Sequence, residues 1–216
     1  VIKVVEQGNT ASPRVSGGQD FGVVLKADGS VWSFGQGANG EIGNGSLLGA
    51  RVPTSINIIK TYTNIESGDN FTIVLRKDGT VWSFGSNTNG ELGLGDRGIY
   101  KNASEIKGLT DVVKISAGSK HTVVLNKYGE VYVWGYNNKG QLGTGDTKSV
   151  DVPTKLDLGG QDIIDVCAGK ENTILITSEG RLIVYGEKTG ISGAESVRNA
   201  VKVQSGDKLL VLTEDG

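Results

Sequence analysis

The sequence has no methionine, one histidine, one cysteine and three prolines in 216 residues. A single cysteine excludes an intrachain disulfide, so Cys167 by itself reports no oxidising compartment. Without methionine, Val1 is not a translation start, and the chain is expected to be processed or excised. No stretch approaches the roughly 18 consecutive apolar residues of a membrane span, and no charged-then-apolar signal segment opens the chain, so no membrane insertion is expected. Lysine and arginine form no run of five or six and the net charge is -2, which gives nucleic acid little to bind.

What the chain has in abundance is glycine, 34 residues without a G-X-Y period, which means many turns rather than collagen. The glycines also keep time. Gly18, Gly68, Gly118 and Gly169 are spaced by 50, 50 and 51 residues, and Gly29, Gly79, Gly129 and Gly180 repeat the same intervals. VWSFGQGANGEIGNGS (31–46), VWSFGSNTNGELGLGD (81–96) and VYVWGYNNKGQLGTGD (131–146) are three copies of one stretch. A fixed period of this length signals one supersecondary unit stacked on its neighbours, each copy burying the next one's apolar face.

Each unit reads as a hairpin followed by a loop. In FTIVLRKDGTVWSFG (71–85) two β-branched and aromatic segments flank Asp78-Gly79, a turn pair that supplies positive φ. Alternation is period two, with Val81 and Ser83 on one face and Trp82 and Phe84 on the other. The G-x-x-x-x-G-E/Q-L/I-G-x-G stretch that follows is too glycine-dense for a helix and is expected to be an ordered loop. Variable segments of about 20 residues (46–65, 96–115, 146–165) come next, and the repeat geometry is expected to gather them on one face. A further strand, such as VVKISAG (112–118) or IIDVCAG (163–169), leads into the next hairpin.

The units run over approximately 16–66, 67–116, 117–167 and 168–204, with half-units at 1–15 and 205–216, all within one domain. The fourth lacks the G-E-L-G-x-G element. SGDKLLVLTEDG (205–216) begins a fifth hairpin, and VIKVVEQGN (1–9) resembles the strand that should follow its turn. Open strand edges are a liability, so the two ends are expected to satisfy one another. They do so either within the chain, as a fifth blade, or by donating a strand to another copy, which would make the chain self-associate; if the chain is instead an excised arc of a longer propeller, neither closure need occur. The expected fold is all-β, a propeller-type array of four recognisable blades plus the two terminal half-hairpins, with no helix beyond short turns.

Chemistry-bearing motifs are few. GQGANG (35–40) is a literal G-x-G-x-x-G, but EIGNGS follows it where a dinucleotide site needs a helix to open. A catalytic His121 would need an orienting partner, and none is named by the pattern; its repeat equivalents Phe21, Phe71 and Asn172 point instead to packing. Cys167, equivalent to Ser116 and Glu66, reads as a small half-buried thiol. Carboxylates fall mainly at turns (Asp28, Asp78, Asp215) or in the G-E-L-G element (Glu41, Glu91), where Gln141 shows that charge is dispensable. The asparagine-rich loops lack the carboxylates of a calcium loop. No catalytic residue, metal or cofactor is therefore expected. Tyr62, Tyr100 and Tyr136 lie in or beside the variable segments, outside the strand alternation, and are the candidates for partner contact, the alternative being that each packs over a neighbouring blade.

GSKHTVVLNKYGEVYVWGYNNKGQLGTGD (118–146) resembles the repeat of the regulator of chromosome condensation family, G-x-x-H-T-x-x-L-x-x-x-G-x-V-x-x-W-G-x-N-x-x-G-Q-L-G-x-G-D. The resemblance covers about residues 16–170 and is weaker beyond. It implies a β-propeller of four-stranded blades and a structural role for His121 inside its blade. The family's members include exchange factors for small GTPases, receptor and ligase adaptors, secreted inhibitors of β-lactamases and large bacterial surface proteins; the repeat fixes fold rather than role. The hairpin style, K-x-D-G-x-V-x-x-W/F-G, resembles the bacterial surface proteins most. The expected function is thus a non-catalytic protein-binding scaffold on a bacterial secreted or cell-surface protein. The two rivals are a guanine-nucleotide exchange factor in a cytoplasmic chain and an enzyme inhibitor that presents aromatic loop residues to a cleft.

Overall fold

The computed structural model describes residues 11–56, 61–188, 193, 196–205 and 209–214. They form five antiparallel sheets and no α-helix. Blade one comprises β1 (Arg14–Gly17), β2 (Phe21–Leu25), β3 (Val31–Gly35) and β4 (Ala50–Ser55). Blade two is β5 (Tyr62–Ser67), β6 (Phe71–Arg76), β7 (Val81–Ser86) and β8 (Ile99–Glu105). Blade three is β9 (Val112–Ala117), β10 (His121–Asn126), β11 (Val131–Gly135) and β12 (Val150–Lys155). Blade four contributes β13 (Ile163–Ala168), β14 (Asn172–Thr177) and β15 (Leu182–Gly186), and blade five β16 (Ala200–Ser205) and β17 (Leu209–Thr213). The all-β propeller expected from the sequence is the fold observed.

The D-G hairpins form by a specific device. Gly79 N–H donates to the Arg76 carbonyl (3.0 Å) and Arg76 N–H to the Thr80 carbonyl (2.9 Å), a type I turn closed by a bulge at a left-handed residue. Only Gly79 takes positive φ (80°), while Asp78 uses its carboxylate to accept the Thr80 N–H (3.0 Å) and hydroxyl (2.6 Å). The glycine supplies the angle and the aspartate the cap.

The variable segments contain a strand that their sequence conceals. β4, β8 and β12 are the outer strands of their blades, and Pro53 and Pro153 sit within β4 and β12. An edge strand with one side to solvent tolerates a missing N–H, which is why V-P-T can lie there. Each variable segment therefore runs the length of its blade and ends at the opposite end, so the segments do not gather on one face as expected.

Blades stack through both faces of their strands. Phe71, Ile73 and Leu75 point forward into one cluster with Ile115, Val124 and Trp134 of blade three, while Val74 and Phe84 point back onto Phe21, Val23 and Leu25 of blade one. Two-sided burial explains why β10 and β14 are buried along their whole length. The second glycine of G-E-L-G brings its backbone against an aromatic ring of the next blade. A Cβ on Gly93 would lie 2.8 Å from the Trp134 indole of the next blade, and Gly43 and Gly143 face Phe84 and Tyr185 in the same way. Trp134 Nε1 donates to the Glu91 carbonyl (2.9 Å), and Thr122 Oγ1 to the same oxygen (3.1 Å).

At the ends, Arg14 and Val15 pair with Leu25 and Val24 inside the first sheet. The rest of the expected closing strand, residues 1–10, and the turn at 215–216 lie outside the described residues.

Candidate binding face and axial cavity

The first strands of successive blades, β1, β5, β9, β13 and β16, stand side by side around an axis. Antiparallel order puts the β1–β2 and β3–β4 loops, and their equivalents, at one end of the array, here called the upper end. There the axis opens into a cavity of about 650 Å³ whose wall is Gly17, Ser67, Ala117, Ala168 and Ser205, equivalent positions that all carry small side chains. Gln19, Asp69, Ser119 and Lys170 stand at its rim. Backbone bonds from Gln19 N–H to the Asp69 carbonyl (2.9 Å) and from Asp69 N–H to the Ser119 carbonyl (3.0 Å) tie the rim loops together. A rigid rim with a hollow centre can admit a protruding side chain or loop of a partner at little ordering cost.

Below it the cavity continues for about 450 Å³ past Arg14, Glu66, Ser116, Cys167 and Gln204. Lys114 is paired with the buried Asp165, whose other oxygen accepts the Val203 N–H (3.2 Å). Ser116 Oγ accepts the Ala168 N–H (2.9 Å) and Cys167 Sγ accepts the Ser205 N–H (3.1 Å), so these side chains stitch one inner strand to the next. Burial pushes the Cys167 thiol up and Lys114 down from their ordinary values. A thiol held protonated is a poor nucleophile.

Glu66 is the least comfortable group in this wall, its carboxyl pushed up to about 7 by burial against the weaker pull of Arg14 and Lys114. Folding therefore takes up a proton between the ordinary value of 4.5 and about 7. Stability is expected to fall as pH rises through that window and to level off above it. Glu66→Gln removes the slope and is expected to exceed the parent by about 1–3 kcal/mol at alkaline pH. Denaturant unfolding of both proteins at pH 5 and 8 checks this, and an unchanged slope in the variant contradicts it.

The other residues singled out in the sequence resolve into structural parts. His121 is buried, its Nε2 is 2.9 Å from Thr173 Oγ1 of the next blade, and burial lowers it to about 4, so it is neutral and braces two blades. Glu41, Glu91 and Gln141 each accept a backbone N–H two residues back, from Asn39 (2.6 Å), Asn89 (2.5 Å) and Lys139 (2.9 Å); the loop needs an acceptor there, not a charge. GQGANG forms turns and opens no helix. Among the described residues no group of three or more His, Cys, Asp or Glu side chains is placed to hold a metal.

The three tyrosines separate. Tyr100 is the second residue of β8 and Tyr136 follows β11, so both lie at the upper end, half-buried. Tyr100 donates its hydroxyl to Asp96 (2.6 Å), and the Lys120 ammonium stands 5.9 Å from the Tyr136 ring. Tyr62 is at the lower end in β5, only 2% exposed and packed in the cluster between blades one and two; burial raises it to about 12. Tyr62 packs over its neighbouring blade, the alternative open in the sequence, and is not available to a partner. Two features escaped sequence reasoning. Asn87 and Asn137 fold the glycine loop, each accepting the N–H five residues on (Leu92 and Leu142, both 2.9 Å) and donating to the carbonyls of Asp96 (2.7 Å) and Asp146 (3.0 Å). Val113 and Ile164 are exposed where β9 and β13 bulge, next to their paired positions.

Sequence models of the regulator of chromosome condensation (RCC1) repeat match residues 28–75, 78–125 and 128–176, and a second model of the same repeat matches 62–91 and 112–141. The chain belongs to this repeat family. Solved RCC1-type structures share its fold. Human WBSCR16 is 22% identical with a TM-score of 0.80, the match covering 94% of this chain and 58% of WBSCR16. Prp20p of Saccharomyces cerevisiae, described with its binding properties to Gsp1p and histones, is 19% identical with a TM-score of 0.78, covering 98% of this chain and 59% of Prp20p. The CRINKLY ectodomain of the Arabidopsis thaliana receptor kinase ACR4 is 17% identical, at a TM-score of 0.57 over 93% of this chain and 61% of that one. The chain thus spans under two thirds of the length of each. No curated protein sequence matches it significantly.

Proposed function

We propose that this RCC1-repeat propeller is a non-catalytic protein-binding scaffold whose partner docks on the upper end, over the axial cavity. The observation that carries the reading is a rigid, hydrogen-bonded rim around a cavity walled by small residues, with two half-buried tyrosines at the same end of the array, Tyr100 in the outer strand β8 and Tyr136 just after β11. Loops on a stiff repeat scaffold are where partners are met, and aromatic side chains carry much of the contact energy. A placement on a bacterial secreted or cell-surface protein is part of the proposal and rests on hairpin style alone; protease shaving of intact source cells should release peptides of this chain.

The second reading, a guanine-nucleotide exchange factor, is favoured by the likeness to Prp20p and is separated by a nucleotide-release assay. For the scaffold, affinity capture with the parent chain and with the Tyr100→Ala/Tyr136→Ala double variant is the test. The variant is expected to fold and to lose a partner that the parent retains by tenfold or more, about 1.4 kcal/mol or greater. Equal capture by the two proteins contradicts docking at this end.

A further inference from the structure

Blades one to three each carry an outer strand, β4, β8 or β12, whereas among the described residues no strand lies against the outer edge of β15 in blade four. The link that follows β15, residues 187–199, is shorter than the links 36–61, 87–111 and 136–162 that hold those outer strands. The direction of the β15 backbone is fixed by its inner partner. Thr177 N–H donates to the Arg181 carbonyl (2.9 Å) and Glu187 N–H to the Glu171 carbonyl (2.9 Å), so Arg181, Ile183 and Tyr185 bond inward to β14 while Leu182, Val184 and Gly186 turn their N–H and C=O groups outward.

In the other blades those outward groups are used. The carbonyls of Val31, Val81 and Val131 accept the N–H of Ile56, Ile106 and Leu156 at 3.0, 2.9 and 2.9 Å, but among the described residues no N–H donates to the equivalent carbonyl of Leu182. Burial agrees. Ser33, Ser83 and Val133 are 0% exposed, and Val184, which takes their place opposite Ile174, is only half-buried.

We propose that the β15 edge captures an extended segment of a partner protein as a fourth strand of blade four. A row of unpaired N–H and C=O groups is the template on which such a strand adds, its backbone bonds giving affinity and its side chains specificity. The chain's own outer strands specify the occupant. β4 and β12 share V-P-T, with Thr54 opposite Ser33 and Thr154 opposite Val133. The residue after the threonine discriminates: Lys155 lies opposite Tyr132 and pairs with Glu130 (2.5 Å), and the position of Glu130 is taken in blade four by Arg181. Arg181 is exposed and pairs with the exposed Glu179 (3.2 Å), so it is in place to meet a newcomer. The segment that fits is therefore V-P-T followed by an acidic residue, the threonine opposite Val184 and the carboxylate opposite Ile183, beside Arg181. This edge is on the outer side of blade four, apart from the axial cavity, so it is a docking surface separate from the upper end.

Fluorescence anisotropy of a labelled peptide that copies residues 147–156 with Lys155→Glu, titrated with the folded chain, tests the proposal. The peptide is expected to bind, and the same peptide retaining Lys155 to bind more weakly, by about threefold or more at low salt. Arg181→Glu in the chain changes an exposed side chain and is expected to reverse that order. Val184→Pro removes one outward N–H without touching the bonds to β14, a change that an edge strand tolerates, and is expected to weaken binding by about tenfold or more. Failure of both peptides to bind, an unchanged preference in Arg181→Glu, or parental binding by a folded Val184→Pro chain would each overturn it.

Discussion

Replacing Trp134 with alanine is expected to destabilise the chain by about 3–5 kcal/mol, the range for truncating a large buried aromatic. Trp134 is fully buried, covers the Gly93 backbone of the preceding blade and donates to the Glu91 carbonyl. Its loss opens a cavity in the contact between blades two and three and strips a donor from a buried carbonyl. Trp134→Phe, which restores most of the volume but not the N–H, should recover more than half of that loss. Trp32→Ala is the contrast: Trp32 is half-buried, on the outward side of blade one, and its removal should cost about 1 kcal/mol. Denaturant unfolding of the three variants checks the order, and equal losses for Trp134 and Trp32 would mean that the blades are not held through this contact.

Asp165→Asn should be the next most damaging change, at about 2–3 kcal/mol, because it leaves the Lys114 ammonium in the axial wall without its counter-charge. The asparagine oxygen can still accept the Val203 N–H, so the loss isolates the ion pair from the strand contact. Lys114 is partly exposed, which keeps the expectation below the cost of breaking a fully buried pair. Adding Lys114→Met to Asp165→Asn should return much of the lost stability, since the unpaired charge goes with it. By contrast, breaking the exposed Lys155–Glu130 pair should leave the unfolding midpoint unchanged. Strict additivity of the Lys114 and Asp165 substitutions would contradict the pairing.

Period, hairpin and loop were legible because they are backbone demands that glycine alone meets. The positive φ at Gly79 recurs at Gly29, Gly129 and Gly180, and the approach of Gly93 to Trp134 recurs at Gly43 and Gly143, so the sequence repeats them. The outer strands were not legible. β4, β8 and β12 are exposed or half-buried along most of their length, and a strand that packs on little imposes no alternation. Tyr62 misled for a related reason. The register of β5 shifts between Tyr62 and Asn64, which breaks the period-two pattern and turns into the core a residue that seemed to lie outside the strand. The role of His121 was readable from its equivalents Phe21 and Phe71, since a position that accepts phenylalanine is a packing position.

A protein partner docked on the upper end, over the axial mouth, would shield the loops there. Hydrogen exchange of the chain alone and with its captured partner reads that shielding. The prediction is slowed exchange in the loops 68–70, 87–98, 118–120 and 136–149 around the cavity, with the turns 77–80 and 127–130 at the lower end unchanged. Slowing confined to the lower turns, with the upper loops exchanging as in the free chain, would contradict it.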